Sequence, residues 1–151
     1  MTRTGRYTVA ARVYDLISAE RPVYRPGRLL GITGLRLHAG GSVLDLGCGT
    51  GLNHPLLVEA VGLTGAVVGL DRSPQMLDQA HRRARRHKWT QTRTVLADLV
   101  DGPGVDGFVA VITTYALSLV PHWERAWAAA INAVRPGGRA AVVDLVDRGG
   151  A

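Results

Sequence analysis

The sequence predicts an α/β fold, a doubly wound parallel sheet of five strands preceded by helices, and three observations carry that reading. From Ser42 onward short aliphatic and β-branched runs alternate with longer helical stretches, which implies right-handed crossovers between parallel strands. Each of these runs is short and mostly apolar, as strands covered on both faces are. The first run passes directly into a glycine-rich turn and then a helix, the arrangement of a ligand loop at the carboxyl end of a strand. At 151 residues, with 46% hydrophobic and 20% charged residues, the chain is expected to form one domain around one core. Residues 1–40 supply N-terminal helices and residues 41–151 the ligand-binding core.

Taken in order, Tyr7 to Ala19 places Val9, Val13 and Leu16/Ile17 at helical spacing and reads as an amphipathic helix ending near Arg21-Pro22. Val23-Tyr24-Arg25-Pro26-Gly27 is a turn. Arg28 to Leu37 then forms a second short helix, broken by His38-Ala39-Gly40-Gly41. Strands are expected at Ser42–Leu46, Ala66–Leu70, Arg93–Ala97, Phe108–Thr113 and Arg139–Leu145. Between the first two, Asn53 caps a helix that has Pro55 in its first turn and stops at Gly62. Ser73 caps the next, with Pro74 at its first position and Leu77, Ala80 and Ala84 on one face. Leu99 to Gly107, rich in Gly, Pro and Asp, should hold no well-formed helix. Pro121 opens the last helix, whose stripe of Trp123, Trp127, Ala130/Ile131 and Val134 reads as core and which Arg135-Pro136-Gly137-Gly138 closes.

Composition removes several classes. The longest apolar stretches are only a few residues, whereas a membrane span needs about 20. The first twenty residues carry Arg3, Arg6, Arg12, Asp15 and Glu20 and no continuous apolar core, so a cytoplasmic location is expected. A lone cysteine, Cys48, can form neither an internal disulfide nor a cysteine-based zinc site, and the five histidines show no ligand spacing, so no metal is expected. The net charge is +6, but the basic residues are almost all arginines spread along the chain, and no nucleic-acid partner is expected. The one dense run, Arg82-Arg83-Ala84-Arg85-Arg86-His87-Lys88, reads as a solvated helix end whose cations meet the negative pole. An anion-binding surface is the alternative.

The chemistry lies in Val43-Leu44-Asp45-Leu46-Gly47-Cys48-Gly49-Thr50-Gly51. Its spacing is G-x-G-x-G, not the dinucleotide fingerprint G-x-G-x-x-G, and its glycines let a ligand approach the backbone. Asp71 ends the second strand, where a carboxylate can accept from both hydroxyls of a ribose. Asp98 ends the third and can accept from the exocyclic amine of adenine, with Leu99 packed on the ring. One Asp after a strand is an ordinary turn or cap residue. Three consecutive strands ending in ligand-facing polar groups point to a nucleoside.

In order, the runs VLDLGCGTGLN, VVGLDRSPQML, VLADL and ITTYALSLVPHWERAWAAAINAVRPGGRAAVVDL resemble the class I S-adenosylmethionine-dependent methyltransferases, across essentially the whole chain from Tyr7. The resemblance implies a Rossmann-like sheet of strand order 3-2-1-4-5 and S-adenosyl-L-methionine as cofactor. Carried over by position, Asp45 and Gly47, Cys48 and Gly49 hold the methionine end, Asp71 the ribose, Met76 and Leu99 the adenine faces and Asp98 the adenine amine. Asn53 and Arg72 join the cofactor-binding set, Thr113 and Thr114 lie beside the sulfonium, and Tyr14 closes over the cofactor. Tyr115 and His122 are the catalytic candidates near the methyl group. Tyr14-Asp15 and Tyr24-Arg25-Pro26-Gly27-Arg28 resemble the small-molecule and lipid branches of the family, which include quinone C-methyltransferases and phospholipid N-methyltransferases. A small-molecule or lipid acceptor and peripheral membrane contact are therefore expected.

Methyl transfer by in-line displacement asks the protein mainly for positioning and desolvation, so the lack of an acid/base dyad is no objection. Cys48, without an adjacent base, reads as a small loop filler and not as a nucleophile. Two departures from the family stand out. Val109 follows Phe108 where members commonly have Asp, losing a contact, and the sequence stops just after the fifth strand, where the family adds an antiparallel hairpin. The acceptor side is then expected to be incomplete, with an open edge on the fifth strand that favours a homo-oligomer. A non-catalytic or partner-dependent cofactor-binding fragment shares every cofactor residue and stays open as an alternative. A nucleotide-dependent oxidoreductase would also place Asp71 on a ribose, but the glycine spacing and Asp98 argue against it.

Overall fold

The computed structural model describes residues 24–145; the helix expected at Tyr7–Ala19, with Tyr14, lies outside them. The elements are α1 (Arg25–Gly34), β1 (Ser42–Leu46), α2 (His54–Val61), β2 (Ala66–Asp71), α3 (Pro74–His87), β3 (Thr92–Leu96), β4 (Phe108–Thr114), α4 (Trp123–Asn132) and β5 (Val134–Val143). Single 3₁₀ turns cover Leu99–Asp101 and Leu117–Leu119. The strands form one parallel sheet of order β3-β2-β1-β4-β5, as expected, and the order reverses between β1 and β4. Helix α1 begins earlier than the Arg28–Leu37 expected, because Pro26 in its first turn already has helical φ and no N–H to satisfy.

The alternation of side chains divides the core in two. Val43, Val67, Ala110 and Ile112 join Ile32 and Leu35 beside α1 and Leu57, Val58 and Val61 of α2. On the other face Leu44, Leu46, Val68, Leu70 and Val111 join Leu99, Leu117 and the alanines Ala126, Ala130 and Ala133. Each fully buried Val, Leu or Ile contributes roughly 1.5–3 kcal/mol.

Two expectations are corrected here. The stripe of α4 is not a tryptophan core: Trp123 and Ile131 are exposed, Trp127 is half-buried, and Ala126 and Ala130 face the sheet. Small side chains let α4 lie close over the Leu99–Asp101 turn, where a Cβ on Gly102 would stand 3.4 Å from Ala129 Cβ. The second correction is at Arg135-Pro136-Gly137-Gly138, which bulges within β5 and does not stop a helix. Phe108 is level with Val134, yet Ala110 is level with Arg139. Pro136 fits such a bulge because it has no N–H to give to a ladder. Consequently β5 starts at Val134 and ends at Val143 instead of spanning Arg139–Leu145. Among the described residues only β4 pairs with β5, and no helix is long and apolar enough to cross a membrane.

The bulge leaves no room at Gly138, where a Cβ would lie 2.8 Å from the Val109 carbonyl oxygen and 2.3 Å from Val134 Cγ1. Gly138→Ala is expected to lose about 1–3 kcal/mol in urea unfolding, an overpacking cost. Parent-like stability would mean that the bulge opens freely.

Candidate functional site

The glycine turn after β1 is closed onto the end of β2: the Leu70 carbonyl accepts from the N–H groups of Gly47 (2.8 Å) and Cys48 (3.0 Å). Gly47 has φ +69°, and a Cβ there would press on Ala116 Cβ at 2.8 Å. Asp71 binds the turn from the other side. Its Oδ2 accepts from Gly49 N–H and its Oδ1 from Ser73 N–H, each at 2.9 Å, which leaves a lone pair on each oxygen for a ligand. The Ser73 hydroxyl caps α3 by accepting from Met76 N–H at 3.3 Å, as the sequence predicts, and so brings Met76 to the site. Asp98 sits exposed at the rim, its Oδ1 accepting from Val100 N–H at 3.1 Å.

Together these ends enclose a cavity of about 310 Å³ at the carboxyl edge of the sheet. Gly47, Cys48, Gly49, Asp71, Arg72, Met76, Asp98 and Leu99 line it, and Thr114, Tyr115, Leu119, Val120, Pro121 and His122 face them. Asp45, Asn53 and Thr113 do not line the cavity; they are buried in the interior. Asn53 also does not cap α2. Its backbone is already helical, which removes the extended geometry that a cap needs, and its amide turns to Asp45 Oδ1 (3.1 Å) and Thr114 Oγ1 (3.0 Å).

Three contributors were not among the expected site residues. Arg28 of α1 is only 5% exposed; its Nη1 donates to Asn53 Oδ1 (2.9 Å) and Thr114 Oγ1 (2.7 Å), and its guanidinium stands 5.3 Å from the centre of the Tyr115 ring. His54, 1% exposed, brings Nε2 to 3.4 Å from Asp45 Oδ2. Asp144 accepts from both the N–H and the hydroxyl of Ser118, fixing the turn that presents Leu119. The sequence offers little warning of the first two, because arginine is ordinarily exposed and histidine has no strong preference for the interior. Gly27, which the sequence places in a turn, lies in α1 and lets it pack closely here, since a Cβ would collide with the Tyr115 hydroxyl at 2.2 Å.

The two catalytic candidates differ in freedom. The Tyr115 hydroxyl donates to the Tyr24 carbonyl at 3.1 Å and its ring meets Tyr24 edge-on, so this side chain docks the start of α1. His122 is exposed at the cavity wall. Both have left-handed backbones, φ +55° and +57°, strain of a kind that gathers at functional sites.

A nucleoside bearing a charged tail fits this arrangement: carboxylates at two strand ends, apolar Met76 and Leu99 between them, and a turn open above Gly49, where a Cβ would meet no atom within 4 Å. The family model described as "Methyltransferase domain" matches residues 43–138. The chain belongs to the methyltransferase-domain family. S-adenosyl-L-methionine is the family's cofactor, and the oxidoreductase alternative falls. This methyltransferase domain is 31% identical over 150 residues to the 2-phytyl-1,4-naphtoquinone methyltransferase of Synechococcus elongatus, covering 93% of this chain and 62% of that protein. It is 32% identical over 108 residues to the arsenite methyltransferase of Halobacterium salinarum, covering 71% of this chain and 28% of that one. The chain thus spans less than two thirds of either relative. The crystal structure of a SAM-dependent methyltransferase from Aquifex aeolicus shares the fold, with TM-score 0.73 and 17% identity over 87% of this chain and 72% of that one.

Cys48 lines the cavity yet is poor in reactivity. Burial pushes its thiol well above the ordinary range, and the carboxylates of Asp45 and Asp71 add to the rise. Because the folded state holds this proton more tightly than the unfolded chain does, the stability it confers is complete below the ordinary thiol pKa and declines as pH rises through and beyond it. Iodoacetamide at pH 8 should label native Cys48 at least about tenfold more slowly than the urea-unfolded chain. In addition, Cys48→Ala should flatten the loss of stability above about pH 8.5. Labelling at equal rates in both states would show an accessible thiolate.

Proposed function

We propose that the chain is an S-adenosylmethionine-dependent methyltransferase acting on a small apolar aromatic acceptor. The observation that carries the reading is the convergence of β1, β2 and β3 on one cavity, where the glycine turn, Asp71 and Asp98 surround Met76 and Leu99. When bound, S-adenosylmethionine supplies an electrophilic methyl on a sulfonium, with a neutral thioether as its leaving group. In this reading Asp71 binds the ribose hydroxyls with the lone pairs its backbone contacts leave free, and Asp98 accepts from the adenine amine. Met76 and Leu99 sandwich the base. Leu119, Val120 and Pro121 exclude water from the acceptor side, and His122, whose ring makes no hydrogen bond among the described residues, can take the acceptor's proton.

The character of the acceptor follows from the wall that faces the cofactor side. Ala116, Leu119, Val120 and Pro121 suit a flat apolar ring of the naphthoquinone kind, the acceptor class named for the Synechococcus relative. Arsenite, named for the Halobacterium relative, is a soft centre that thiolates bind. This chain has one cysteine, and its environment keeps it protonated. A reducing cytosol suits a chain whose lone cysteine is a buried thiol.

Titration calorimetry tests the cofactor site. Asp71→Ala should weaken S-adenosylmethionine by about 1–3 kcal/mol, since a charged acceptor of hydroxyl and backbone donors is lost. Asp98→Ala should cost less, because water can replace an exposed contact. NADH should not bind. Parent-like affinity in both variants, or NADH binding as tightly, would overturn the site, and cofactor binding without turnover of any apolar quinol would leave a binding protein.

The outer edge of β5 supports a further part of the proposal, self-association. Among the described residues no strand pairs with that edge, and backbone groups left open there are a template for another strand. Sedimentation of the 151-residue chain at tens of micromolar should show dimers or larger species; a monomer would mean that residues outside 24–145 cover the edge.

A further inference from the structure

We propose that the outer face of α3 docks the protein on an anionic phospholipid bilayer. The proposal deepens the lipid-soluble acceptor reading above and rests on it for its purpose, though not for its test. Gln79, Arg82, Arg83 and Arg86 recur at helical spacing and line a shallow concavity of about 240 Å³ on this helix. From Gln79 to Lys88 the sequence has five permanent cations, four arginines and one lysine, and no acid. Arg82, Arg85 and Arg86 are exposed and form no ion pair among the described residues, Asp78 one turn before Arg82 included. The helix dipole accounts for cations in the last turn only, and Arg82 lies before it. A row of guanidinium groups in a hollow suits phosphodiester oxygens.

Two features favour a bilayer over a nucleic acid. At the far end of α3 the stripe runs into His87 and Trp89, whose rings stack 4.8 Å apart, and Trp89 packs beside the core of α2. Leu63, in the turn just after α2, is 86% exposed and stands at the same end, since Gln91 Nε2 donates to the carbonyl of adjacent Gly62 at 3.3 Å. An aliphatic side chain held in water gains from an acyl-chain boundary and nothing from a phosphodiester strand. The near end is tied to the cavity: Met76 lines it one turn before Gln79, and Arg83 Nε donates to the Thr50 carbonyl in the glycine turn at 3.3 Å. A domain resting on α3 would therefore keep the cavity within one helix length, about 20 Å, of the lipid surface.

Vesicle co-sedimentation of the full 151-residue chain tests this, without any quinone present. Binding to vesicles of phosphatidylglycerol mixed with phosphatidylcholine should exceed binding to pure phosphatidylcholine by about tenfold or more and should fall steeply as salt is raised. The double variant Arg82→Glu with Arg86→Glu should abolish the excess, and Leu63→Ser should weaken it. None of these residues lines the cavity, so both variants should keep the parent's affinity for S-adenosylmethionine in calorimetry, which also certifies folding. Equal binding to both vesicle types, charge reversal without effect, or tighter binding to an oligonucleotide than to the vesicles at the same salt would each overturn the proposal. Failure here with quinol turnover intact would remove the docking face alone. Vesicle binding without turnover would remove the acceptor reading alone.

Discussion

A carboxylate buried in the middle of a parallel sheet has to be partnered, and Asp45, fully inaccessible on β1, imposes that requirement on everything around it. Leaving a buried polar group without partners costs about 1–3 kcal/mol. Asn53 meets it with an amide hydrogen, and the amide can point that way only because its oxygen is held by Arg28 and its other partner, Thr114, is fixed at the end of β4. His54 approaches from the next position on α2. Room for this comes from Gly69, level with Asp45 on the neighbouring strand, where a Cβ would lie 2.7 Å from Cys48 Sγ and 3.0 Å from His54 Nε2. One buried carboxyl group thus ties β1, α2, β4 and α1 into a single polar knot.

The cavity is the upper surface of that knot. With the base of the glycine turn anchored through Leu70 and Asp71, its backbone has little freedom left, and a ligand meets a surface organised before it arrives. The opposite wall of the cavity is built differently. Tyr115 and His122 sit in strained left-handed conformations, and the turn between them is held mainly by local bonds and by Asp144 from the end of β5. A rigid floor beside a wall of short turns lets the wall vary without disturbing the sheet.

Docking of α1 completes the floor. Gly27 and Gly31, one helical turn apart, bring its backbone against Tyr115 and Val143, and Arg28 between them reaches the knot. Bulk at either glycine would press the helix away from Tyr115 and Val143, so helix packing and the hydrogen bonds that Arg28 makes to Asn53 and Thr114 depend on each other. The same residues explain why Tyr115, a catalytic candidate by position, donates its hydroxyl proton to the Tyr24 carbonyl.

The sequence alone determined what local signals determine. Strand β1 falls at Ser42–Leu46 as the apolar run predicts, Ser73 caps α3 as a serine before proline should, and the glycine turn, Asp71, Asp98, Met76 and Leu99 meet at one cavity because strand ends in a parallel sheet converge. Tertiary structure decided the rest. Arg28 finds Asn53 across 25 residues and Thr114 across 86, distances over which no propensity or period carries information. Asn53 gave up its cap for the same reason, since the demand of a buried carboxylate outweighs one local hydrogen bond. Thr114 lines the cavity while Thr113 points away, a choice set by strand alternation, in which a shift of one residue exchanges the two faces. The bulge in β5 and the exposed Trp123 belong to the same class: both depend on how closely alanines and glycines let neighbouring elements approach, and that is fixed only when the layers are assembled.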